Sequence, residues 1–119
     1  MYELKVESSF SAAHHLLNYN GKCENQHGHN WKVEVYAKGT QLDKSNLLID
    51  FKILKKELNE VLEILDHKDI NTLEEFEGIS PSSEMLSKFI YEKMKSKLQY
   101  ISKVSVWETE RACASYYEE

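Results

Sequence analysis

Residues 2–10 alternate, with Tyr2, Leu4, Val6, Ser8 and Phe10 on one side and Glu3, Lys5, Glu7 and Ser9 on the other. A period of two is that of a half-buried strand. Residues 29–38 repeat it, Trp31, Val33, Val35 and Ala37 standing against Lys32, Glu34, Tyr36 and Lys38. From Asp50 the period lengthens: Phe51, Leu54, Leu58, Val61, Leu62 and Leu65 recur every three or four residues. This predicts an amphipathic helix with Asp50 as its N-cap. A second helix is predicted at "SPSSEM", with Ser80 as cap, Pro81 in the first turn and Leu86, Phe89, Ile90, Met94 and Leu98 as its stripe. After Tyr100 the period of two returns in "ISKVSVWETERACASYY", a closing pair of strands that turns near Glu110 and Arg111.

The order β-β-α-α-β-β, without repeats or linkers, predicts an α+β fold: a four-stranded antiparallel sheet, polar on one side, with both helices on the other. A chain of 119 residues, 41% hydrophobic, fills one core, so residues 1–119 are expected to form a single domain. No stretch reaches the apolar length of a membrane span, and "MYELKVESS" lacks the pattern of a secretory signal. A soluble, cytoplasmic protein is expected. Cys23 and Cys113 are too few for a disulfide framework and are expected as thiols. A formal charge of −5 without a basic stripe argues against nucleic acid as partner. Local cations such as Lys22 and Lys68 still suit an anionic small substrate.

The densest chemistry lies in "CENQHGHN", residues 23–30. His27 and His29 are two apart at the mouth of a strand, so in extended backbone both imidazoles leave the same face, the face of Trp31 and Val33. On the first strand the same parity runs Leu4, Val6, Phe10, Ala12, His14, if no bulge intervenes. Three histidines at the ends of two neighbouring strands suit a zinc site with an open fourth position. The alternative is a set of surface or hydrogen-bonded core histidines. His15 points the other way and is not expected to be a ligand.

Cys23, four residues before His27, suits a base or nucleophile; as a fourth zinc ligand it would instead close a structural site. In "LDHKD", Asp66 can orient His67 and raise its basicity, unless the histidine only answers a helix C-terminus. Glu108 shares the buried parity of Val104 and Val106, and a buried carboxylate needs donors. A ligand with two N–H groups would serve; the alternatives are a salt bridge to Arg111 or exposure at the strand end. Ser82 and Ser83 read as first-turn residues that leave backbone N–H groups and hydroxyls for a polar ligand edge.

Taken in order, "FSAAHHL", "CENQHGHN", "LIDF", "LDHKDIN", "PSSEM" and "VWETERACASY" resemble the 6-pyruvoyltetrahydropterin and 6-carboxytetrahydropterin synthase family over nearly the whole chain. The resemblance implies a tunnelling fold: trimers whose sheets close a barrel, two trimers stacked into a homohexamer, active sites between subunits. It implies His14, His27 and His29 as ligands of Zn²⁺, Cys23 as catalytic thiol, Asp66 with His67 as partner dyad, Glu108 as anchor of the pterin ring, and Ser82 and Ser83 beside that ring. The implied substrate is 7,8-dihydroneopterin triphosphate, with Lys22 and Lys68 as candidates for its phosphates.

The spacing C-x-x-x-H-G-H resembles the bacterial 6-carboxytetrahydropterin synthases, which release acetaldehyde and feed queuosine and other deazapurine pathways; a longer gap marks the pyruvoyl-forming enzymes. Two positions depart from that pattern. His15 stands where many members carry arginine, so a basic contact is expected to be lost. Glu24 completes E-x-x-H-G-H, the signature of a branch that forms 6-hydroxymethyldihydropterin for folate, so the chain resembles members proposed to be bifunctional. Its alternative is a solvent-facing loop residue. The competing readings outside catalysis are a zinc-stabilised structural oligomer and a pterin-binding module without turnover.

Overall fold

The computed structural model describes residues 1–22 and 24–119. Two long strands, β1 (Tyr2–His14) and β2 (His27–Gly39), pair antiparallel along their whole length, from Tyr2 opposite Gly39 to His14 opposite His27. Helix α1 (Phe51–Leu62), the short β3 (Lys68–Asp69) and helix α2 (Ser83–Lys97) follow, then β4 (Ile101–Thr109) and β5 (Ala112–Tyr116). The sheet has five strands in the order β3-β1-β2-β4-β5, one more than the alternation predicts. The addition is β3, two residues parallel to Ala12 and Ala13, too short to show a period. Both opening strands also run further toward the chemistry than their hydrophobic runs, since β1 continues to His14 and β2 begins at His27.

Alternation places Phe10, Trp31, Val33, Val35, Val104 and Val106 on the helix-facing side of the sheet, where all are buried. Leu54, Leu58 and Val61 of α1 and Leu86, Ile90 and Met94 of α2 close the core over them, as the three-to-four spacing of these residues requires. The opposite face is wet but organised: Glu34 accepts from Trp107 Nε1 at 2.6 Å and from Lys5 Nζ at 3.1 Å.

Asp50 caps α1 as expected, its carboxylate accepting from Lys52 N at 2.8 Å. The cap of α2 is Ser82 rather than Ser80: Ser82 Oγ accepts from Met85 N at 3.2 Å. The hydroxyl of Ser80 is used elsewhere, accepting from Leu17 N at 2.9 Å, so Pro81 lies before the helix instead of inside its first turn. Among the described residues no helix is long and apolar enough to cross a membrane.

Candidate metal centre and its surroundings

Strand pairing alone assembles the centre. His14 sits directly across from His27, and His29 across from Ala12, so the three imidazoles share the helix-facing side at one end of the β1–β2 ladder. Their ring centroids are 4.7 Å (His14–His27), 4.7 Å (His27–His29) and 5.4 Å (His14–His29) apart. Trp31 is the floor, its ring edge-on to His14 at 4.8 Å and to His29 at 5.1 Å, and its Nε1 donates to the carbonyl of Ala12 at 3.2 Å. Glu108 completes the group: one donor atom from each of His14, His27, His29 and Glu108 lies within 4.8 Å of the others.

The hydrogen bonds fix which nitrogens face inward. His14 Nδ1 lies 2.7 Å from the carbonyl of Pro81, and His27 Nδ1 lies 2.9 Å from the carbonyl of Asn25. A carbonyl oxygen only accepts, so each Nδ1 carries a proton, and in the neutral ring each Nε2 is left as a bare lone pair. That arrangement, with a carbonyl behind each imidazole, is how proteins orient metal-ligating histidines. His29 Nε2 is buried and has no hydrogen-bond partner. It approaches Glu108 Oε1 at 3.3 Å without hydrogen-bond alignment. Burial holds the His29 imidazole below its ordinary pKa; Glu108 opposes this, and His27 and His14 add to it. An orphaned buried nitrogen, two pre-set tautomers and a carboxylate form a donor set that suits a divalent ion of zinc type.

Glu108 owes its position to a break in the ladder. Trp107 pairs with Cys113 but Thr109 pairs with Ala112, which makes Glu108 the extra residue of a bulge. Bulges bend a strand and re-aim side chains. Its Oε1 lies 3.1 Å from His14 Nε2. The salt bridge to Arg111 is not formed; the Arg111 backbone N–H is held instead by Thr109 Oγ1 at 3.2 Å.

Asp66 and His67 sit past the end of α1, beside β1 rather than on a helix terminus. Asp66 Oδ2 is 3.0 Å from His67 Nδ1, and its Oδ1 accepts from Ser11 N at 2.9 Å. The Ser11 N–H holds the Asp66 carboxyl below its usual range; burial pushes it the other way, and the His67 ring adds to the lowering. His67 adopts a left-handed φ of 58° while its N–H donates to Ser11 O at 2.6 Å. Its ring is exposed and lines a cavity of about 400 Å³ with Ser11, Gly28, His29, Asn30 and Lys68. It is not one of the four clustered donors.

Glu24 is anchored, not free in solvent: its N–H donates to Leu16 O at 2.9 Å, and its Oε1 accepts from Leu16 N at 3.1 Å and lies 3.8 Å from His27 Nδ1. His15 turns away from the centre and meets Gln26, Nδ1 to Oε1 2.6 Å, so the position keeps a polar contact. Ser82 Oγ accepts the α2 cap bond and keeps its O–H free to donate, and Ser83 is the first helical residue. Lys22 lines a separate cavity with Tyr19, Glu24 and Asn25. Cys23 lies outside the described residues. Two contributors escape sequence reasoning: the Pro81 carbonyl, whose role has no side-chain signature, and Asn71, which holds the backbone of His15 from both sides.

One end of a sheet carrying a histidine-rich cluster that could hold a metal ion, with two helices packed over the sheet, defines the class, and comparison with known proteins gives the family. Residues 3–119 match the family model described as 6-pyruvoyl tetrahydropterin synthase, and the chain belongs to that family. It is 32% identical, over 98% of its length and 94% of the relative's, to a Synechocystis protein named 6-carboxy-5,6,7,8-tetrahydropterin synthase. A Haemophilus influenzae protein of the same name is 30% identical over 99% of this chain and all of its own (100%). The Dictyostelium discoideum 6-pyruvoyl tetrahydrobiopterin synthase is 36% identical over 81% of this chain and 73% of its own. The solved Caenorhabditis elegans 6-pyruvoyl tetrahydropterin synthase superposes with a TM-score of 0.85 at 27% identity, covering 99% and 96% of the two chains.

Proposed function

We propose that the chain is a zinc-dependent 6-carboxytetrahydropterin synthase. It converts 7,8-dihydroneopterin triphosphate and one water to 6-carboxy-5,6,7,8-tetrahydropterin with release of acetaldehyde and triphosphate, in queuosine (deazapurine) biosynthesis. The observation that carries the reading is the convergence of His14, His27 and His29 with Glu108, with the Nδ1 atoms of His14 and His27 already committed to carbonyls. The names of relatives matched over nearly the full chain and the C-x-x-x-H-G-H spacing support the carboxy product.

His14, His27 and His29 would hold Zn²⁺, whose chemistry when bound is that of a Lewis acid toward the substrate's side-chain hydroxyls. The rest falls to the protein's own groups. Glu108 offers a carboxylate to the paired N–H groups of the pterin ring, with Ser82 and Ser83 beside that ring. Asp66 holds His67 at Nδ1, so Nε2 is the atom that takes up or returns a proton. Cys23 is the second proton relay. Lys22 and Lys68 meet the triphosphate from two different cavities. Because His67 stands apart from the four-donor cluster, the reading includes assembly into a homohexamer of two trimers with sites shared between subunits; the edge of β5 away from β4, and β1 beyond its short pairing with β3, support it.

A second activity rests on the E-x-x-H-G-H spacing: Glu24, held by Leu16 N and 3.8 Å from the outward-facing Nδ1 of His27, would have to turn toward the centre to act on a bound side chain and yield 6-hydroxymethyl-7,8-dihydropterin. Incubation of metal-loaded protein with 7,8-dihydroneopterin triphosphate, followed by mass analysis, separates the outcomes. The carboxy product supports the main reading, the hydroxymethyl product the Glu24 reading and the pyruvoyl product the reading named for the Dictyostelium relative. Unchanged substrate leaves a zinc-stabilised structural oligomer.

A further inference from the structure

Glu108 has no donor of its own. Its only polar neighbours among the described residues are the Nε2 atoms of His14 and His29, both facing the same oxygen, Oε1, at 3.1 and 3.3 Å. With the His14 proton committed to the Pro81 carbonyl, the His14–Glu108 contact sets one lone pair against another. Two acceptors at that distance repel unless a proton or a cation lies between them. A cation with bonds of about 2.0–2.2 Å at tetrahedral angles would hold its donor atoms roughly 3.3–3.6 Å apart. The two contacts at 3.1 and 3.3 Å lie at or just under that spacing, and the four donors, spread up to 4.8 Å, would draw together by small side-chain rotations around an ion. The bulge that makes Glu108 the extra residue of β4 turns its carboxylate onto the imidazoles.

Resting on the metal reading above, we infer that Glu108 is a shared residue: fourth donor to the metal while the pterin pocket is empty, and partner of the pterin N–H edge once substrate arrives. The same oxygen cannot serve both in full. Pterin binding therefore draws the carboxylate off the ion and frees the coordination position at the moment the substrate's hydroxyls are delivered. Metal and ring compete for one carboxylate, and the coupling is reciprocal: a pterin that lacks the hydroxylated side chain weakens metal binding, and the metal weakens that pterin by the same factor. Glu108 would thus keep the centre closed to adventitious ligands between turnovers.

Cobalt(II) replaces zinc as a spectroscopic probe. Binding of Co²⁺ is measured for the full-length protein, Glu108→Gln and His27→Ala, with and without 7,8-dihydropterin, which carries the N–H edge but no side chain. The inference expects Glu108→Gln to bind Co²⁺ at least tenfold more weakly with an altered visible spectrum. It also expects dihydropterin to shift the spectrum and lower the Co²⁺ affinity of the unmodified protein, and to do neither in Glu108→Gln. Equal affinity and spectra in unmodified protein and Glu108→Gln overturn the shared role while leaving the histidine centre intact. Co²⁺ binding that His27→Ala does not weaken overturns the metal reading itself.

Discussion

Asn71 grips the backbone of His15 at both ends, its Oδ1 accepting from His15 N at 2.9 Å and its Nδ2 donating to His15 O at 3.0 Å. The amide replaces a strand neighbour. Four residues earlier, Asp66 Oδ1 and His67 N do the same for the N–H and carbonyl of Ser11, and Lys68 and Asp69 pair with Ala12 and Ala13 between them. Residues 66–71 thus form a rail along β1 from Ser11 to His15 that fixes His14 and the Asp66–His67 pair in one frame. Asn71→Ala leaves two backbone groups unpaired and is expected to cost about 1–3 kcal/mol. Asn71→Asp keeps the acceptor, loses the donor and falls between. Thermal or urea denaturation checks the order.

Trp31 underlies His14 and His29 and is fully buried. Trp31→Ala opens a cavity beneath two proposed ligands, with an expected stability loss of about 3–5 kcal/mol. Trp31→Phe keeps the floor but drops the Nε1 bond to Ala12 O, and should cost less. Denaturant titration of the two variants measures the difference.

On the wet face, burial raises the pKa of Glu34, but the hydrogen bonds from Trp107 and Lys5 outweigh it and hold the carboxyl below 4.5. A carboxyl depressed in the folded state adds stability that is present above its unfolded pKa and is lost as pH falls through its folded value. Stability should therefore decline as pH drops through 4.5 and below. Glu34→Gln should flatten that part of the profile, and Trp107→Phe should move the Glu34 titration upward. Urea midpoints between pH 3 and 7, about the range in which carboxylates titrate, provide the test.

His67 is held by Asp66 at Nδ1, while Asp66 itself is tied first to the Ser11 N–H. Asp66→Asn can still accept that N–H but gives up the charge facing His67. On the proposed mechanism kcat should fall on the order of a hundredfold, the scale of one acid–base group, with KM and stability little changed. Steady-state kinetics beside a melting curve distinguishes this from a structural loss.

The sheet, both helices and the meeting of three histidines were legible because each follows from period. Parity carried from Leu4 to His14 without a bulge puts His14 on the face of His27 and His29, and the structure keeps that register. Other features have no periodic signal. β3 is two residues long, Asn71 works through its amide in a loop, and the α2 cap moved from Ser80 to Ser82 because Ser80 is claimed by Leu17 across the chain. Parity did place Glu108 on the buried face, and the alternative of a salt bridge to Arg111 is not realised, because a one-residue bulge, which has no periodic signal, turns the carboxylate onto His14 and His29.

X-ray absorption at the zinc edge tests the central claim most directly. The account predicts one ion per chain with a shell of nitrogen and oxygen at about 2.0–2.1 Å and the outer scattering of three imidazoles. A sulfur shell near about 2.3 Å would place a thiolate on the ion and close the site, and a zinc-loaded protein without imidazole scattering would remove His14, His27 and His29 from the chemistry altogether.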